Sequence, residues 1–144
     1  MREALSQGLH RTEVEVSMTE IITVAKYNKK TTSEHNLQVL VLDLLTVKKS
    51  DPNIFAFAIV NAAERSPRLA AKLRAEGLFA GVADLCILLP CGRTAWLELK
   101  AASNKQTPKQ HAFEARCNRL GHPYAVANCI ERAELFLKQI GAIK

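Results

Sequence analysis

Two apolar stretches flank the tripeptide Pro90-Cys91-Gly92, and this break constrains the fold more than anything else in the chain. "ADLCILL" precedes it and "RTAWLELKA" follows it. A three-residue loop of this composition predicts a β-hairpin, built on a type I turn that closes on a left-handed glycine. With residues 90–92 as the loop, Leu89 pairs with Arg93, and Asp84 stands opposite Glu98. Directly opposed residues share a face of the sheet and lie about 5 Å apart. Lys100 is two residues beyond Glu98, so it shares that face too.

Two carboxylates at that distance repel unless one is protonated or a cation lies between them. Lys100 alone cannot offset both. A hard divalent cation, Mg²⁺ or Mn²⁺, suits an aspartate and a glutamate converging from neighbouring strands. A solvated sheet face with a salt-bridged lysine is the alternative, and the apolar neighbours Leu85, Ile87, Leu97 and Leu99 weigh against it.

The rest of the chain supplies helices around this hairpin. In "TTSEHNLQVLVLDLL", Leu37, Leu40, Val41, Leu44 and Leu45 recur at helical spacing. Glu34 precedes Val41 by two turns and so joins the inward stripe, whereas Asp43 points away. "IFAFAIV", residues 54–60, reads as a strand. "SPRLAAKLRAEG" reads as a helix with Ser66 as N-cap, Pro67 as first residue and Gly77 as stop. "TPKQHAFEARCNRLG" is a second capped helix ending at Gly121, "PYAVAN" a strand, and "NCIERAELFLKQIG" a last helix opened by Asn128. The order is helix, strand, short helix, hairpin, helix, strand, helix. This is an α/β fold with a mixed sheet, in which the helix at 107–120 serves as a crossover.

A length of 144 residues suits one domain, placed at 33–144. Residues 1–32 form an N-terminal arm in which "EVEVSM" and "EIITVAKY" read either as short strands or as a segment without fixed packing. No apolar run approaches the ~20 residues of a membrane span, and the N-terminus lacks the apolar core of a secretory signal, so an intracellular, cytoplasmic setting is expected. Cys86, Cys91, Cys117 and Cys129 match no zinc or CxxC spacing and are expected to be free thiols. The net charge of +6 is compatible with a polyanionic partner.

"GVADLCILLPCGRTAWLELK" followed by "TPKQ" resembles the VRR-NUC branch of the PD-(D/E)XK nucleases, whose pattern is G-x-P-D, a hairpin, E-x-K, then a glutamine opening the next helix. Upstream, "AIVNAAERSPRLAAKLRAEGLFAG" is similar to the same branch, and the likeness runs over residues 33–140. Ala83 departs from it, standing where the family usually has proline. Proline there mainly stiffens the backbone, so the change is expected to be tolerated.

The resemblance implies a restriction-endonuclease-like core and phosphodiester hydrolysis. It assigns metal binding to Asp84 and Glu98, with Glu34 as an accessory carboxylate, and Mg²⁺ (or Mn²⁺) as the cofactor with no organic one. Lys100 would position the attacking water or the phosphate charge, and Gln110 would orient the site from its helix start. Glu34 and Gln110 each have a second reading. Thr31-x-x-Glu34 and Thr107-x-x-Gln110 are both capping boxes, and for Gln110 the two roles can coexist. His35 and His111 adjoin candidate residues but project about 100° away and read as surface groups or as supports behind the site residues. Trp96, on the Glu98 face, reads as a packing residue.

Arg65, Arg68 and Lys72 form a basic stripe at helical spacing, and Lys105, Lys109, Arg116 and Arg119 add charge near the second capped helix. Beside a nuclease site these become phosphate contacts. Standalone members of the branch resemble viral or phage enzymes that act as dimers on branched DNA, which implies cleavage of four-way junctions by a homodimer and a phage or bacterial origin. A DNA-binding protein on the same fold without turnover is the alternative, though a binder needs none of Asp84, Glu98 and Lys100. A small-molecule or regulatory module would leave the basic residues unexplained.

Overall fold

Residues 33–60 and 65–144 are described by the structure, a computed structural model. The expectations for residues 1–32 lie outside the described residues. Helix α1 spans Glu34–Lys48, strand β1 Phe55–Ala58 and helix α2 Pro67–Ala75. Strands β2 (Leu85–Leu89) and β3 (Arg93–Leu99) form the hairpin. Helix α3 (Pro108–Arg119), strand β4 (Tyr124–Ala127) and helix α4 (Ile130–Gln139) complete the order expected from the sequence.

The sheet order is β1-β2-β3-β4. The first three strands are antiparallel, and β4 runs parallel to β3 after the α3 crossover. The hairpin register is the expected one: Leu89 pairs with Arg93 and Leu85 with Leu97, leaving Pro90, Cys91 and Gly92 in the loop. The turn type differs. Cys91 has φ 62° as well as Gly92 at φ 71°, whereas a type I turn would hold Cys91 near φ −90°.

One face of the sheet is the core. Leu85, Ile87, Leu89, Ala95, Leu97 and Leu99 alternate inward and meet Leu37, Val41 and Leu45 of α1 and Ala133, Phe136 and Leu137 of α4. Leu40 and Leu44 flank the α1 stripe and are half-buried, while Asp43 is exposed. Each buried leucine contributes roughly 1.5–3 kcal/mol. The C-terminus is fastened to this layer, where Ile143 bridges Lys49 and the Arg93 guanidinium donates to the Ile140 carbonyl at 2.6 Å.

The opposite face is only partly covered. Phe113 of α3 packs edge-on against Trp96 at 5.1 Å and against Tyr124 at 6.2 Å. Trp96 is thus a packing residue, as expected. Beyond α3, the paired residues Phe55 of β1 and Leu88 of β2 are 59% and 42% exposed, with Phe55 stacked on Phe57.

Helix ends follow the sequence at α2 and α3 and depart from it elsewhere. Ser66 caps α2 and Pro67 opens it, with Gly77 at φ 98° just beyond its end; Thr107 caps α3. At α1 the cap is Ser33, whose hydroxyl accepts the Asn36 N–H, and Glu34 is the first helical residue. A Thr31 capping box would need Glu34 three residues into the helix, so Glu34 has no capping duty. At α4 the cap position is Cys129, not Asn128, and no side chain caps the helix. Its buried Ala133, Phe136 and Leu137 hold it instead.

Candidate active site

Asp84 lies one residue before β2, and its carbonyl still accepts the Ile59 N–H at 2.8 Å. Its carboxylate turns across the hairpin and accepts the Leu99 N–H at 2.8 Å. Glu98, opposite, is fully buried among the described residues. Its Oε1 accepts from the Lys100 ammonium at 2.7 Å and from the side-chain amide of Gln110. Its Oε2 is buried with no hydrogen-bond partner. A buried carboxylate oxygen without a partner costs free energy that an incoming proton or cation removes.

The electrostatics agree with this geometry. Burial, aided by the charges of Asp84 and Glu34, pushes Glu98 up to about 6 in spite of Lys100. Burial likewise raises Asp84 above the usual carboxylate range, outweighing the Leu99 N–H and Lys100. Burial is the main cause of both shifts; the charge of Glu34 adds to it at both groups, and that of Asp84 adds to it at Glu98.

Gln110 both caps its own helix and hydrogen-bonds Glu98. Its Oε1 accepts the Thr107 N–H at 2.8 Å while the Thr107 hydroxyl accepts the Gln110 N–H, closing the capping box. Its Nε2 remains free to reach Glu98. Gly81 makes this approach possible. At φ 87° it presses its backbone against α3, and a Cβ there would sit 2.5 Å from the Lys109 carbonyl carbon.

Glu34 enters the site from α1 in another way. Its Oε1 accepts from the Ala101 N–H at 3.0 Å and from the Asn104 amide at 3.1 Å. Burial works to raise its pKa, but these two donors and Lys100 outweigh it, and the group titrates below its usual range. It clamps the segment that follows Lys100. Among the described residues no three His, Cys, Asp or Glu side chains converge as a ready-made metal site, while the Glu34 charge acts on both Asp84 and Glu98.

The pair Asp84 and Glu98 does fit a hard divalent cation. The donors are oxygens, they come from facing strands, and Glu98 Oε2 has no other partner. All four cysteines are free and none belongs to the site.

The basic residues divide. Arg68 and Lys72 are exposed on α2, with Lys72 3.7 Å from Glu76. Arg65 precedes the N-cap Ser66 and is half-buried, so it is not part of a helical stripe. Lys105 and Lys109 are exposed at the entry to α3, and Arg119 at its end. Arg116 stacks over the Phe79 ring at 5.2 Å. His35 and His111 are both exposed, His111 lying 3.6 Å from Glu114.

Sequence reasoning missed a polar network beneath α3. Gln106 Nε2 donates to Glu114 Oε2 at 3.1 Å and to the Tyr124 hydroxyl at 3.3 Å. Burial and the charge of Glu98 hold the Tyr124 phenol well above its usual range, so it stays neutral. Nothing in "SNKQTPKQ" sets Gln106 apart from its polar neighbours. Only the fold brings it to Tyr124.

No protein-family model matches the chain, and no curated protein does. Solved structures do. One described as a VRR_NUC domain protein superposes with a TM-score of 0.58 at 23% identity, over 76% of this chain and 88% of its own. Another, described as a VRR_NUC domain, superposes with a TM-score of 0.51 at 17% identity, over 73% and 94%. The mixed sheet, its flanking helices and these likenesses give the chain the restriction-endonuclease-like fold of VRR-NUC domains.

Proposed function

We propose that the protein is a metal-dependent DNA endonuclease that hydrolyses phosphodiester bonds in branched DNA, four-way junctions being the most specific expectation. The observation that carries this reading is the opposed pair Asp84 and Glu98, in which Glu98 Oε1 takes the Lys100 ammonium and Oε2 is buried without a partner. A structural ion pair would satisfy both carboxylate oxygens, and a DNA-binding protein would need neither carboxylate.

Asp84 and Glu98 would hold Mg²⁺ or Mn²⁺, with Glu34 steadying the segment beside them. A bound divalent cation lowers the pKa of water and neutralises charge growing on the phosphate. Lys100 aims its ammonium at the same place and can bind a phosphate oxygen or orient the attacking water. Gln110 keeps the Glu98 carboxylate turned so that Oε2 remains available. Arg65, Arg68, Lys72, Lys105 and Lys109 would contact phosphates outside the reacting one.

A homodimer is the proposed working unit. The exposed Phe55 and Phe57 on an edge strand offer a second copy an apolar surface. An intracellular, cytoplasmic location suits the four free thiols. Among the described residues no helix is long and apolar enough to cross a membrane.

The test is cleavage of labelled four-way, flap, duplex and single-stranded DNA with Mg²⁺, Mn²⁺ or EDTA. Cleavage of the junction with either metal, and none with EDTA, is expected. Binding without cleavage under every metal condition would favour the alternative of a binding protein on a nuclease fold. Sedimentation of the protein alone, at micromolar concentration, reads the dimer.

A further inference from the structure

We infer that Gln106, held by Glu114 and Tyr124, is a positioning residue that sets the Gln110 amide on Glu98. The inference rests on the nuclease reading only for its effect on turnover. Its structural part concerns the metal-free protein.

The Gln110 amide is tethered at both ends. Its oxygen accepts the Thr107 N–H and its nitrogen donates to Glu98. The Thr107 N–H therefore decides where the amide can reach. That N–H belongs to the peptide joining Gln106 to Thr107, so it lies where Gln106 is fastened. Gln106 is fastened twice, to Glu114 one turn beyond Gln110 on α3 and to Tyr124 on β4. Tyr124 pairs with Trp96, two residues before Glu98 on β3. The contacts form a closed circuit from Glu98 through Gln110, Thr107, Gln106 and Tyr124 back to the strand that carries Glu98.

The other side of the same turn is held by Gly81, whose bare α-carbon abuts the Lys109–Gln110 peptide. The first turn of α3 is thus gripped between Gly81 and Gln106. Side chains of rigid geometry hold a partner in place only when their own rotamers are locked, and Gln106 supplies that lock. Glu114 also faces His111 at 3.6 Å, so that histidine belongs in any account of variants at Glu114.

A purely structural role for Gln106 would lower stability and leave Gln110 in place. Nitrogen-labelled, metal-free protein separates the two. In the parent, the Gln110 side-chain amide should show a distinct, exchange-protected pair of NMR signals. In Gln106→Ala those signals should collapse to the position of a free glutamine amide, with the backbone spectrum elsewhere retained. Under turnover, Gln106→Ala should reduce kcat roughly tenfold with KM unchanged, the pattern of a lost transition-state contact. In a Gln110→Ala background the same change should cost less than about twofold, because residues acting through one another are not additive. The exchange Gln106→Glu with Glu114→Gln should restore both signals and rate, since Gln at 114 can donate to Glu at 106.

Unchanged Gln110 signals in Gln106→Ala would overturn the inference. So would an equal loss of kcat in the parent and Gln110→Ala backgrounds. If the parent cleaves no DNA, the nuclease reading fails, while the NMR experiment still decides the role of Gln106.

Discussion

The two faces of one sheet obey different rules. Leu85, Ile87, Leu97 and Leu99 point one way and are closed over by α1 and α4. Asp84, Glu98 and Lys100, their neighbours in sequence, point the other way, where α3 covers only the β4 side. On the first face the buried groups are apolar. On the second a carboxylate oxygen is buried without a partner. The same strands thus carry the closed core on one side and the proposed chemistry on the other, and the alternation of a β-strand keeps the two apart.

The sharpest way to break this contrast is to exchange their roles by mutation. Asp84→Asn should reduce cleavage by at least about a hundredfold, the scale seen when an electrostatic catalytic group is lost. In EDTA its stability should equal or exceed the parent's, because asparagine can still accept the Leu99 N–H and a like-charge repulsion is gone. A variant that cuts as fast as the parent, or that unfolds, would place Asp84 on the structural side. Lys100→Ala should also stop cleavage while leaving metal binding measurable by calorimetry, because a protonated lysine has no lone pair to give a metal.

Leu97→Ala tests the other face. It opens a cavity in the closed layer and should cost about 2–5 kcal/mol in denaturant unfolding. If its stability loss were no larger than that of Asp84→Asn, the division between faces would fail.

Gly81→Ala should fall between the two classes. The residue has φ 87° and its new Cβ would meet the Lys109 backbone, so a loss of roughly 1–3 kcal/mol is expected. Turnover should drop further than stability alone accounts for, because Gln110 moves with that turn. Stability and kcat measured on the same preparation check both.

The pH dependence sharpens the comparison further. Glu98 is raised from 4.5 to about 6 in the folded protein. Between those values the unfolded chain ionises and the folded one keeps its proton. Stability from this group is therefore full below pH 4.5 and lost as pH rises to 6, by about 2 kcal/mol. Asp84 contributes in the same sense, while Glu34 and Glu134, which titrate low, contribute in the opposite one. Subtracting the profile of Glu98→Gln in EDTA isolates the term. Saturating Mg²⁺ should flatten it, because a cation between the carboxylates favours their ionised form.

The smallest effect concerns the exposed cations. Arg68→Ala with Lys72→Ala should weaken DNA binding in EDTA for all sequences alike and flatten the salt slope by roughly one unit per lost phosphate contact. A slope that does not change would remove α2 from the DNA surface.

Much of this was decided by the chain locally. The loop Pro90-Cys91-Gly92 and the two apolar runs around it determined the hairpin register, and with it the meeting of Asp84 and Glu98, because strand pairing is an arithmetic of sequence positions. Ser66, Pro67 and Gly77 bounded α2, and Thr107, Pro108 and Gln110 opened α3, because a cap is a contact over three or four residues. The cap made by Gln110 was legible in the Thr107-x-x-Gln110 spacing, whereas its reach toward Glu98 was implied only by the family resemblance. Other features depended on residues far apart. Glu34 meets Ala101 and Asn104, and Gln106 meets Tyr124, only after the sheet and its crossover have formed. The orphaned oxygen of Glu98, and the burial that raises its pKa, arise because α3 folds over one half of the sheet. Alternation along a strand says which way a side chain points. Burial, and the partner each oxygen finds or lacks, belongs to the packing of elements from distant parts of the sequence.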